Sequence, residues 1–404
     1  MQRIETLQEF YDVMHKTIPI RKDAVQMILN EETLQPELVD HLKDTLESLT
    51  SIEEQNDQRL LQLDSEKTIS LDLDYEINEL EKDLFYLQHP EEEFYDLLSK
   101  LHAAFPQQLA SGIQFLKDVP IHNMISDRDG TVNNYCGRYA SSVQSIYNAV
   151  FLSRFAKACK NHAVILTSAP LDKIGLVDIS VSPEDAFICA GSKGREYFHA
   201  NQQRRQFPIE EIKQKKISLF NQELSSMLDN EKYKKFTLIG SGLQFKFGQT
   251  TIARQDISGS IPDEESTAFL AQIEALVADI DPKKEYFRIE DTGKDIEIIL
   301  TVTSDHPEAR LKDFDKGNGV QFLNDDVPLK LQEGNTLICG DTSSDIPMIP
   351  VSQHLSKDTY TIFVSEDDQL KDKVSSVSTK PFFVDTPDIL IAILNEYAKT
   401  FAGP

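Results

Sequence analysis

The apolar residues in the first quarter of the chain recur at helical spacing. The clearest series comprises Leu73, Ile77, Leu80, Leu84 and Leu87. Its steps alternate between four and three residues, the spacing of helices that pack side by side. Residues 1–105 contain no glycine, and Pro19 and Pro36 punctuate the pattern. We therefore predict an N-terminal all-α helical bundle over residues 1–105, with about three antiparallel helices.

From about residue 106 the pattern changes to short apolar runs, which are typical of buried strands. An α/β core is predicted over 106–171 and 312–404. The intervening segment 172–311 is long enough for an α/β unit of its own. Its predicted helices are 209–228 and 264–279. Its predicted strands are 187–189, 236–239, 245–247, 286–289 and 295–300.

Charge and composition narrow the function classes. The formal net charge is −26, which disfavours binding to nucleic acid or to an anionic membrane. No apolar run approaches the roughly 20 residues that span a bilayer, and no signal-peptide pattern opens the chain. The four cysteines lie apart, without metal-ligand spacing, so we expect a reduced, cytoplasmic protein. The predicted bundle holds 25 acidic against 9 basic residues, which predicts acidic outward faces.

Two carboxylates follow the first apolar run of the core. Asp127 and Asp129 flank a single residue, and Gly130 then permits a sharp turn. If the run is a strand, both carboxylates lie at its carboxyl end, where open α/β sheets bind ligands. So close a pair implies a bound cation or unequal pKa values. By itself, the motif is equally typical of a solvated Asp-x-Asp-Gly turn.

Three further segments follow in a fixed order. The run 164–166 ends in Thr167 and Ser168, Lys316 opens a predicted helix, and the run 335–340 ends in Asp341, with Asp345 four residues later. In this order the four segments resemble those of the haloacid-dehalogenase-type phosphohydrolases. The resemblance implies a Rossmann-like core, and it makes 172–311 an inserted α/β cap.

The resemblance also implies a role for each residue. Asp127 is the nucleophile that forms an aspartyl-phosphate, and Asp129 is the general acid and then the general base. Lys316 neutralises charge at the phosphate, and Ser168 hydrogen-bonds a phosphoryl oxygen, with Thr167 as the alternative. The implied cofactor is Mg²⁺. Its implied ligands are the Asp127 carboxylate, the Asp129 carbonyl and Asp341, with Asp345 beside them.

Over residues 118–400 the chain looks most like trehalose-6-phosphate phosphatases, and specifically the nematode type. Residues 190–196 correspond to the family's Gly-x-His-Gly-x-Glu element, with Lys193 where the family usually has histidine. Residues 244–246 and Arg254 are similar to its Glu-x-Lys…His-Tyr-Arg element, and Glu297 stands where it places a sugar-contacting glutamate. The implied substrate-binding residues are Lys193, Gly194, Arg195, Glu196, Gln244, Lys246, Arg254 and Glu297.

Three functional alternatives stay open at this point. The leading one is a Mg²⁺-dependent phosphatase for trehalose 6-phosphate, with a small-molecule sugar phosphate as its partner in binding. The second is a phosphatase or phosphomutase for another sugar phosphate, since such relatives differ in the cap. The third is a catalytically silent regulatory subunit that works through the acidic bundle. The bundle itself is either a packed appendage or a module for a protein partner or self-association.

Overall fold

The N-terminal segment is helical but also contains a small sheet. The computed structural model describes residues 2–56, 58–63, 67–199, 203–301, 314–327 and 329–401. The segment's described elements, in chain order, are α1 (Leu7–Leu29), α2 (Pro36–Thr50), β1 (Glu54–Gln55), β2 (Gln58–Gln62), β3 (Thr68–Leu71), α3 (Asp74–Gln88) and α4 (Glu91–Leu101). The helical bundle is confirmed, whereas the antiparallel sheet β1-β2-β3 was not predicted.

Helix α1 also differs from its prediction, because it continues through Pro19. A proline inside a helix removes one backbone hydrogen bond. Here the loss is offset by burial on both sides of it, of Phe10 and Met14 before the proline and of Ala24 and Val25 after it. The prediction that Pro19 marks a helix boundary is therefore wrong, while Pro36 does begin α2.

The core sheet begins after a further helix. Its first elements are α5 (Phe105–Leu116), β4 (Ile121–Ser126), α6 (Ile146–Ala158), β5 (His162–Leu166), α7 (Leu176–Ile179), β6 (Ile188–Gly191), β7 (Glu196–His199) and β8 (Gln203–Gln206). β6 pairs in parallel with β5, so assigning residues 187–189 to the insertion was wrong. β7 and β8 extend the same sheet as an antiparallel hairpin.

The inserted unit is one antiparallel sheet covered by helices. Its elements are α8 (Glu211–Leu228), α9 (Glu231–Lys234), β9 (Leu243–Lys246), β10 (Gln249–Ala253), α10 (Asp263–Ile280), β11 (Phe287–Asp291) and β12 (Asp295–Leu300). The strands lie in the order β11-β12-β10-β9. Residues 235–237 form a 3₁₀ turn, so the strand predicted at 236–239 was wrong. The predicted boundary between this unit and the core, at 311/312, lies outside the described residues.

The chain then completes the core. The remaining elements are α11 (Lys316–Asp326), β13 (Asn335–Gly340), α12 (Met348–Leu355), β14 (Asp358–Val364), α13 (Asp368–Val377), β15 (Pro381–Val384) and α14 (Pro387–Phe401). In the described chain the sheet order is β15-β14-β13-β4-β5-β6-β7-β8, and the strands from β15 to β6 are parallel. This is the Rossmann-like α/β arrangement that was predicted, with β13 and β5 on either side of β4.

The bundle and the core share one hydrophobic interior. Phe94 of α4 is buried, and its ring centroid lies 4.9 Å from that of Tyr147 on α6. Buried residues of α1, α3 and α4 belong to the same apolar cluster as those of α6 and α14. The bundle is therefore packed as part of the core rather than as a loosely attached appendage.

No helix within the described ranges is both long and apolar enough to span a membrane.

Candidate active site

Asp127 lies at the carboxyl end of β4, between two neighbouring strands. Its backbone N–H donates to the carbonyl of Cys339 on β13 at 3.1 Å, which fixes the end of β4 beside the end of β13. Gly130 turns the chain with φ +84°, and a Cβ there would lie 2.2 Å from Asp341 Oδ2. Only glycine permits both this backbone conformation and this close approach. The turn therefore brings the two acidic segments together.

Lys316 connects the acidic residues. Its Nζ lies 2.5 Å from Asp127 Oδ1 and 2.5 Å from Asp345 Oδ1, and all three side chains are buried. The lysine opens α11, whose N-cap residue Asp315 accepts a hydrogen bond from the Asn318 N–H at 2.9 Å. Two ion pairs raise the pKa of Lys316 above its ordinary value against the opposing effect of burial, so the lysine stays charged.

Three carboxylates form a cluster that suits a metal ion. Oxygens of Asp127, Asp341 and Asp345 lie within 4.8 Å of one another. Burial raises the pKa of Asp127 to about 6, although the positive charge of Lys316 acts to lower it. Burial and the neighbouring carboxylates raise the pKa of Asp341 to about 8. One lysine cannot offset three clustered carboxylates, of which two are buried and one is half-buried, and carboxylate oxygens are the donors that hard divalent cations prefer. The donor set therefore fits a divalent cation.

Hydrogen bonds hold two of these carboxylates in position. Thr131 Oγ1 donates to Asp341 Oδ1 at 2.7 Å. Asp345 Oδ2 accepts from the backbone N–H groups of Asp341 and Thr342 at 3.1 and 2.9 Å and from Thr342 Oγ1 at 3.0 Å. Because neighbouring groups already orient these two carboxylates, the carboxylates lose little conformational freedom when a cation binds.

The Asp129 side chain points away from this cluster. Its carboxylate accepts hydrogen bonds from Arg128 and, at 3.3 Å, from Ser142 Oγ. The buried Arg128 also donates to Ser142 Oγ at 3.0 Å. The predicted metal contact of Asp129 uses its backbone carbonyl, so it does not depend on where the carboxylate points. The side chain is about one-fifth exposed.

The hydroxyl residues lie just after β5, the other neighbour of β4. Thr167 is buried, and its Oγ1 accepts a hydrogen bond from the Ala169 N–H at 3.2 Å. Ser168 is half-buried. The choice between them as the phosphate-binding hydroxyl stays a prediction.

The predicted substrate-binding loop joins β6 to β7 at the edge of the core. Gly194 packs against Gly319 of α11 so closely that an added Cβ would lie 2.7 Å from the Gly319 Cα. Arg195 is buried, donates to the Gly248 carbonyl at 2.8 Å and stacks 4.9 Å from the Phe314 ring centroid. Because Gly248 joins β9 to β10, Arg195 ties the core to the inserted unit.

The neighbours of Arg195 in this loop differ in their contacts. Glu196 is buried and accepts from Ser192 Oγ at 2.7 Å and from Arg204 Nε at 3.0 Å. Lys193 is half-buried and has a left-handed backbone with φ 62°, and its positive charge helps to lower the pKa of Lys246 in the inserted unit. Its charge therefore acts on this unit, which Ser192 and Arg195 of the same loop contact directly.

Three predicted residues share one face of the inserted sheet. The register aligns Gln244 with Thr251 and Thr251 with Glu297, and Lys246 lies two residues along β9 on the same face. Apolar residues of these strands, such as Ile296 and Ile298, are buried with α8 and α10 on the opposite face. Lys246 Nζ has no hydrogen bond or ion pair among the described residues, and burial lowers its pKa although Glu297 opposes the shift. An unpaired ammonium of this kind is available to a ligand.

The structure separates Arg254 from this face. Its guanidinium donates to both carboxylate oxygens of Asp291, at 2.8 and 3.0 Å, and to Ser266 Oγ at 2.8 Å. Asp291 is the last residue of β11, and Ser266 lies on α10. Its substrate role stays a prediction.

Sequence reasoning missed Tyr135, an exposed side chain eight residues beyond Asp127. Desolvation by the surrounding loops raises the pKa of Tyr135, and the carboxylates of Asp295, Asp129 and Asp341 raise it further. The charges of the core acids and of Asp295 in the inserted sheet therefore both act on this phenol. An aromatic residue in a polar loop directly after the acidic motif was the available signal.

Comparison with known families fits this geometry. The model described as "Trehalose-6-phosphate phosphatase, C-terminal" matches residues 124–390, well over half of the chain. The chain belongs to the trehalose-6-phosphate phosphatase family. A second model, "Trehalose-6-phosphate phosphatase N-terminal helical bundle domain", matches residues 6–104. The predicted resemblance to trehalose-6-phosphate phosphatases is confirmed.

Individual relatives extend the match to nearly the whole chain. A protein named alpha,alpha-trehalose-phosphate synthase (UDP-forming) 2, from Caenorhabditis elegans, is 30% identical over 97% of this chain, which spans only 33% of that relative. A trehalose-phosphatase from Brugia malayi is 28% identical over 98% of this chain and 87% of its own length. The chain therefore spans about a third of the synthase relative and most of the phosphatase.

A solved structure of a trehalose-6-phosphate phosphatase related protein aligns with 69% of this chain and 97% of its own, at 14% identity and a TM-score of 0.47. This likeness is too weak to add to the family match.

Proposed function

We propose that the protein is a Mg²⁺-dependent phosphatase that hydrolyses trehalose 6-phosphate to trehalose and phosphate. The observation that carries the proposal is the position of Lys316 Nζ, 2.5 Å from both Asp127 and Asp345 and beside Asp341. In this arrangement three carboxylates and a fixed positive charge meet at the ends of two adjacent parallel strands, which supports the proposed roles of Asp127 as nucleophile and of the acids as metal ligands. A phosphate ester dianion needs such positive charge before an anionic nucleophile can approach it.

In the proposed reaction, Asp127 attacks phosphorus, and Asp129 acts as the general acid and then as the general base. A bond forms between an Asp127 oxygen and phosphorus while the bond from phosphorus to the sugar oxygen breaks. Asp129 gives its proton to the leaving sugar oxygen, and then takes a proton from the water that attacks the aspartyl-phosphate. That attack breaks the bond to Asp127 and releases phosphate. Lys316 orients the Asp127 carboxylate throughout.

The carboxylates of Asp127, Asp341 and Asp345 are the residues that would hold Mg²⁺, together with the Asp129 carbonyl. When bound, the ion would supply the positive charge that offsets the phosphate and the clustered acids. The hydroxyl of Ser168 or Thr167 would add a hydrogen bond to a phosphoryl oxygen.

We infer that the inserted unit acts as a cap that selects the sugar through the polar face of its sheet. Gln244, Lys246 and Glu297 supply donors and acceptors on this face, and the charge of Lys193 in the core loop lowers the pKa of Lys246. Sites that hydrogen-bond many hydroxyls discriminate strongly against analogues that lack them. Protein groups already hydrogen-bond the side chains of Arg195, Glu196 and Arg254. Direct contacts of these three residues and of Gly194 with the sugar stay predictions. A protein partner or self-association through the bundle also stays a prediction.

The proposal is tested by phosphate release from a panel of sugar phosphates, with Mg²⁺ and with EDTA. We expect a strong preference for trehalose 6-phosphate and complete loss of activity in EDTA, restored by added Mg²⁺. Equal activity on several hexose phosphates would retain the phosphatase chemistry and reject the sugar assignment. No release from the folded protein would favour a silent regulatory subunit.

Replacing Glu297 with alanine is expected to lower kcat/KM for trehalose 6-phosphate by roughly tenfold or more, because a charge-assisted hydrogen bond to the sugar is lost. A small aryl phosphate, which lacks the sugar, should be hydrolysed at an unchanged rate. Steady-state kinetics on both substrates measure the difference.

The matched control is Glu290→Ala, since Glu290 pairs with Glu297 in the register of β11 and β12 and forms an ion pair with Arg288. It should leave both rates unchanged. Equal losses on both substrates in Glu297→Ala would place Glu297 outside the sugar site.

A further inference from the structure

One face of helix α3 in the bundle carries polar residues that contact the core instead of the solvent. Glu76, Glu79 and Asp83 are buried, and Tyr75 is half-buried beside them. Their spacing of three and four residues places them on one side of the helix. Tyr75, Glu76 and Glu79 contact the segment between β4 and α6, which contains the candidate catalytic loop, and Asp83 contacts the first residue of α6. In this segment, residues 139–141 form a 3₁₀ turn, and the rest has no regular structure.

The contact of Tyr75 leads directly to the catalytic loop. The Tyr75 hydroxyl accepts a hydrogen bond from Asn133 Nδ2 at 3.0 Å. The Asn133 backbone in turn accepts from the Gly130 N–H at 2.8 Å and donates to the Arg128 carbonyl at 2.9 Å. One side-chain amide therefore links the bundle to the turn that carries Asp129.

Glu79 holds the next residue of the same segment. Its Oε1 accepts from Asn134 Nδ2 at 2.9 Å, and its Oε2 accepts from the Tyr147 hydroxyl at 3.1 Å. Asn134 also donates to Asp388 of α14 at 2.8 Å. Lys82 joins Glu79 and Asp388 through ion pairs of 2.5 and 3.0 Å. This buried cluster fixes Asn134 from two sides.

Glu76 holds the far end of the segment. Arg138 donates to both Glu76 oxygens at 3.0 Å, and Ser141 Oγ donates to Glu76 Oε1 at 2.5 Å. The next residue, Ser142, hydrogen-bonds both Arg128 and Asp129. The bundle thus reaches the proposed general acid by a second route.

We propose that helix α3 is a positioning element of the active site, and that Tyr75, acting through Asn133, holds the loop that carries Asp127 and Asp129. The proposal rests on the proposed function and assigns the bundle a part in catalysis that differs from partner binding. A loop without regular structure has no strand or helix to fix its conformation, so its position depends on side-chain anchors. Displacement of catalytic groups by about 1 Å can lower a rate by roughly 10²-fold.

Tyr75→Phe is expected to keep the fold, because it removes only the hydroxyl group. A cavity of about 690 Å³ borders this place, lined among others by Tyr75, Glu79, Lys82, Asn134 and Tyr135. Phenylalanine would retain the ring and lose the hydrogen bonds to Asn133 and, at 3.3 Å, to the Val143 carbonyl.

The test compares Tyr75→Phe with Tyr95→Phe in the full-length chain. Tyr95 is a matched control, because its hydroxyl also joins the bundle to the core, through Glu396 and Asn395 of α14 at 2.9 Å, away from the catalytic loop. We expect kcat to fall roughly tenfold in Tyr75→Phe, with unchanged KM and the same factor for trehalose 6-phosphate and an aryl phosphate. Tyr95→Phe should keep kcat, and the two variants should have similar Tm. Equal kcat in the two variants, or a loss that follows Tm, would overturn the proposal.

A double variant tests the route through Asn133. If Tyr75 acts through this residue, Tyr75→Phe combined with Asn133→Ala should be no slower than Asn133→Ala alone. Independent, multiplying losses would reject the route.

Hydrogen exchange separates this inference from the proposed function. Faster exchange of the amides of residues 128–134 in Tyr75→Phe, and not in Tyr95→Phe, is expected whether or not trehalose 6-phosphate is the substrate. An inactive wild-type protein would contradict the proposed function alone, whereas unchanged exchange in Tyr75→Phe would contradict the anchoring.

Discussion

Replacing Asp127 with asparagine is expected to abolish phosphate release, by at least about 10⁴-fold, and to leave the fold intact. Asparagine has the same shape as aspartate, but its neutral amide cannot form the aspartyl-phosphate. Lys316 keeps Asp345 as an ion-pair partner, so no buried charge is left alone. The change also removes one of three clustered carboxylates, and the metal-free protein should therefore be no less stable. Phosphate release and thermal unfolding measure the two effects.

Asp385→Asn is the matched control for this experiment. Asp385 directly follows β15, as Asp127 follows β4, and it lies at the same edge of the same parallel sheet. Two strands separate β15 from β4, so this variant should keep full activity. An Asp127→Asn variant that hydrolyses the substrate at a normal rate would reject Asp127 as the nucleophile.

The position of the candidate catalytic acids could be predicted because the signal is local. Asp127 and Asp341 each follow an apolar run, and such runs become buried strands whose carboxyl ends meet at one edge of a parallel sheet. The direction of each side chain could not be predicted. The Asp129 carboxylate points to Arg128 and to Ser142, and Ser142 lies 13 residues away along the chain. Only the folded loop brings that hydroxyl beside the acid.

The acidic bundle shows where composition misleads. Its excess of acidic residues predicts solvated faces, yet Glu76, Glu79 and Asp83 are buried. The partner of Glu76, Arg138, lies 62 residues away, and that of Glu79, Asn134, lies 55 residues away. Helical periodicity indicates which residues share a face, but it cannot indicate that the face meets a polar segment of another unit. The same reasoning places the bundle apart from the core, whereas its helices complete the core.

Arg21→Ala is expected to lower the free energy of unfolding by about 3–5 kcal/mol, because a buried carboxylate loses its partner. Arg21 Nε lies 3.0 Å from Asp83 Oδ2, both side chains are fully buried, and the contact is an ion pair without good hydrogen-bond alignment. Asp83 Oδ1 also accepts the first N–H of α6, from Ile146 at 2.6 Å. The pair thus joins two bundle helices to the core helix beneath them. Urea unfolding at pH 8 measures the loss.

The pH and a matched control make this prediction specific. Burial raises the pKa of Asp83 to about 7, although the positive charge of Arg21 acts to lower it. As the pH falls through this value, Asp83 takes up a proton. A neutral carboxyl without a partner costs less to bury than a carboxylate without one, so the loss in free energy of unfolding caused by Arg21→Ala should shrink toward pH 6. Arg288→Ala, which breaks the half-exposed pair with Glu290, should cost less than about 1 kcal/mol at either pH.

The shared interior of bundle and core predicts how the Arg21→Ala variant unfolds. Because α1 and α3 pack in the same apolar cluster as α6 and α14, losing the bundle would expose the core helices that carry and flank the catalytic loop. Helical circular dichroism and phosphatase activity should therefore disappear at the same urea concentration, and that concentration should be lower in Arg21→Ala than in the wild type. Activity that persists after the bundle helices have melted would show that the core holds its catalytic loop alone.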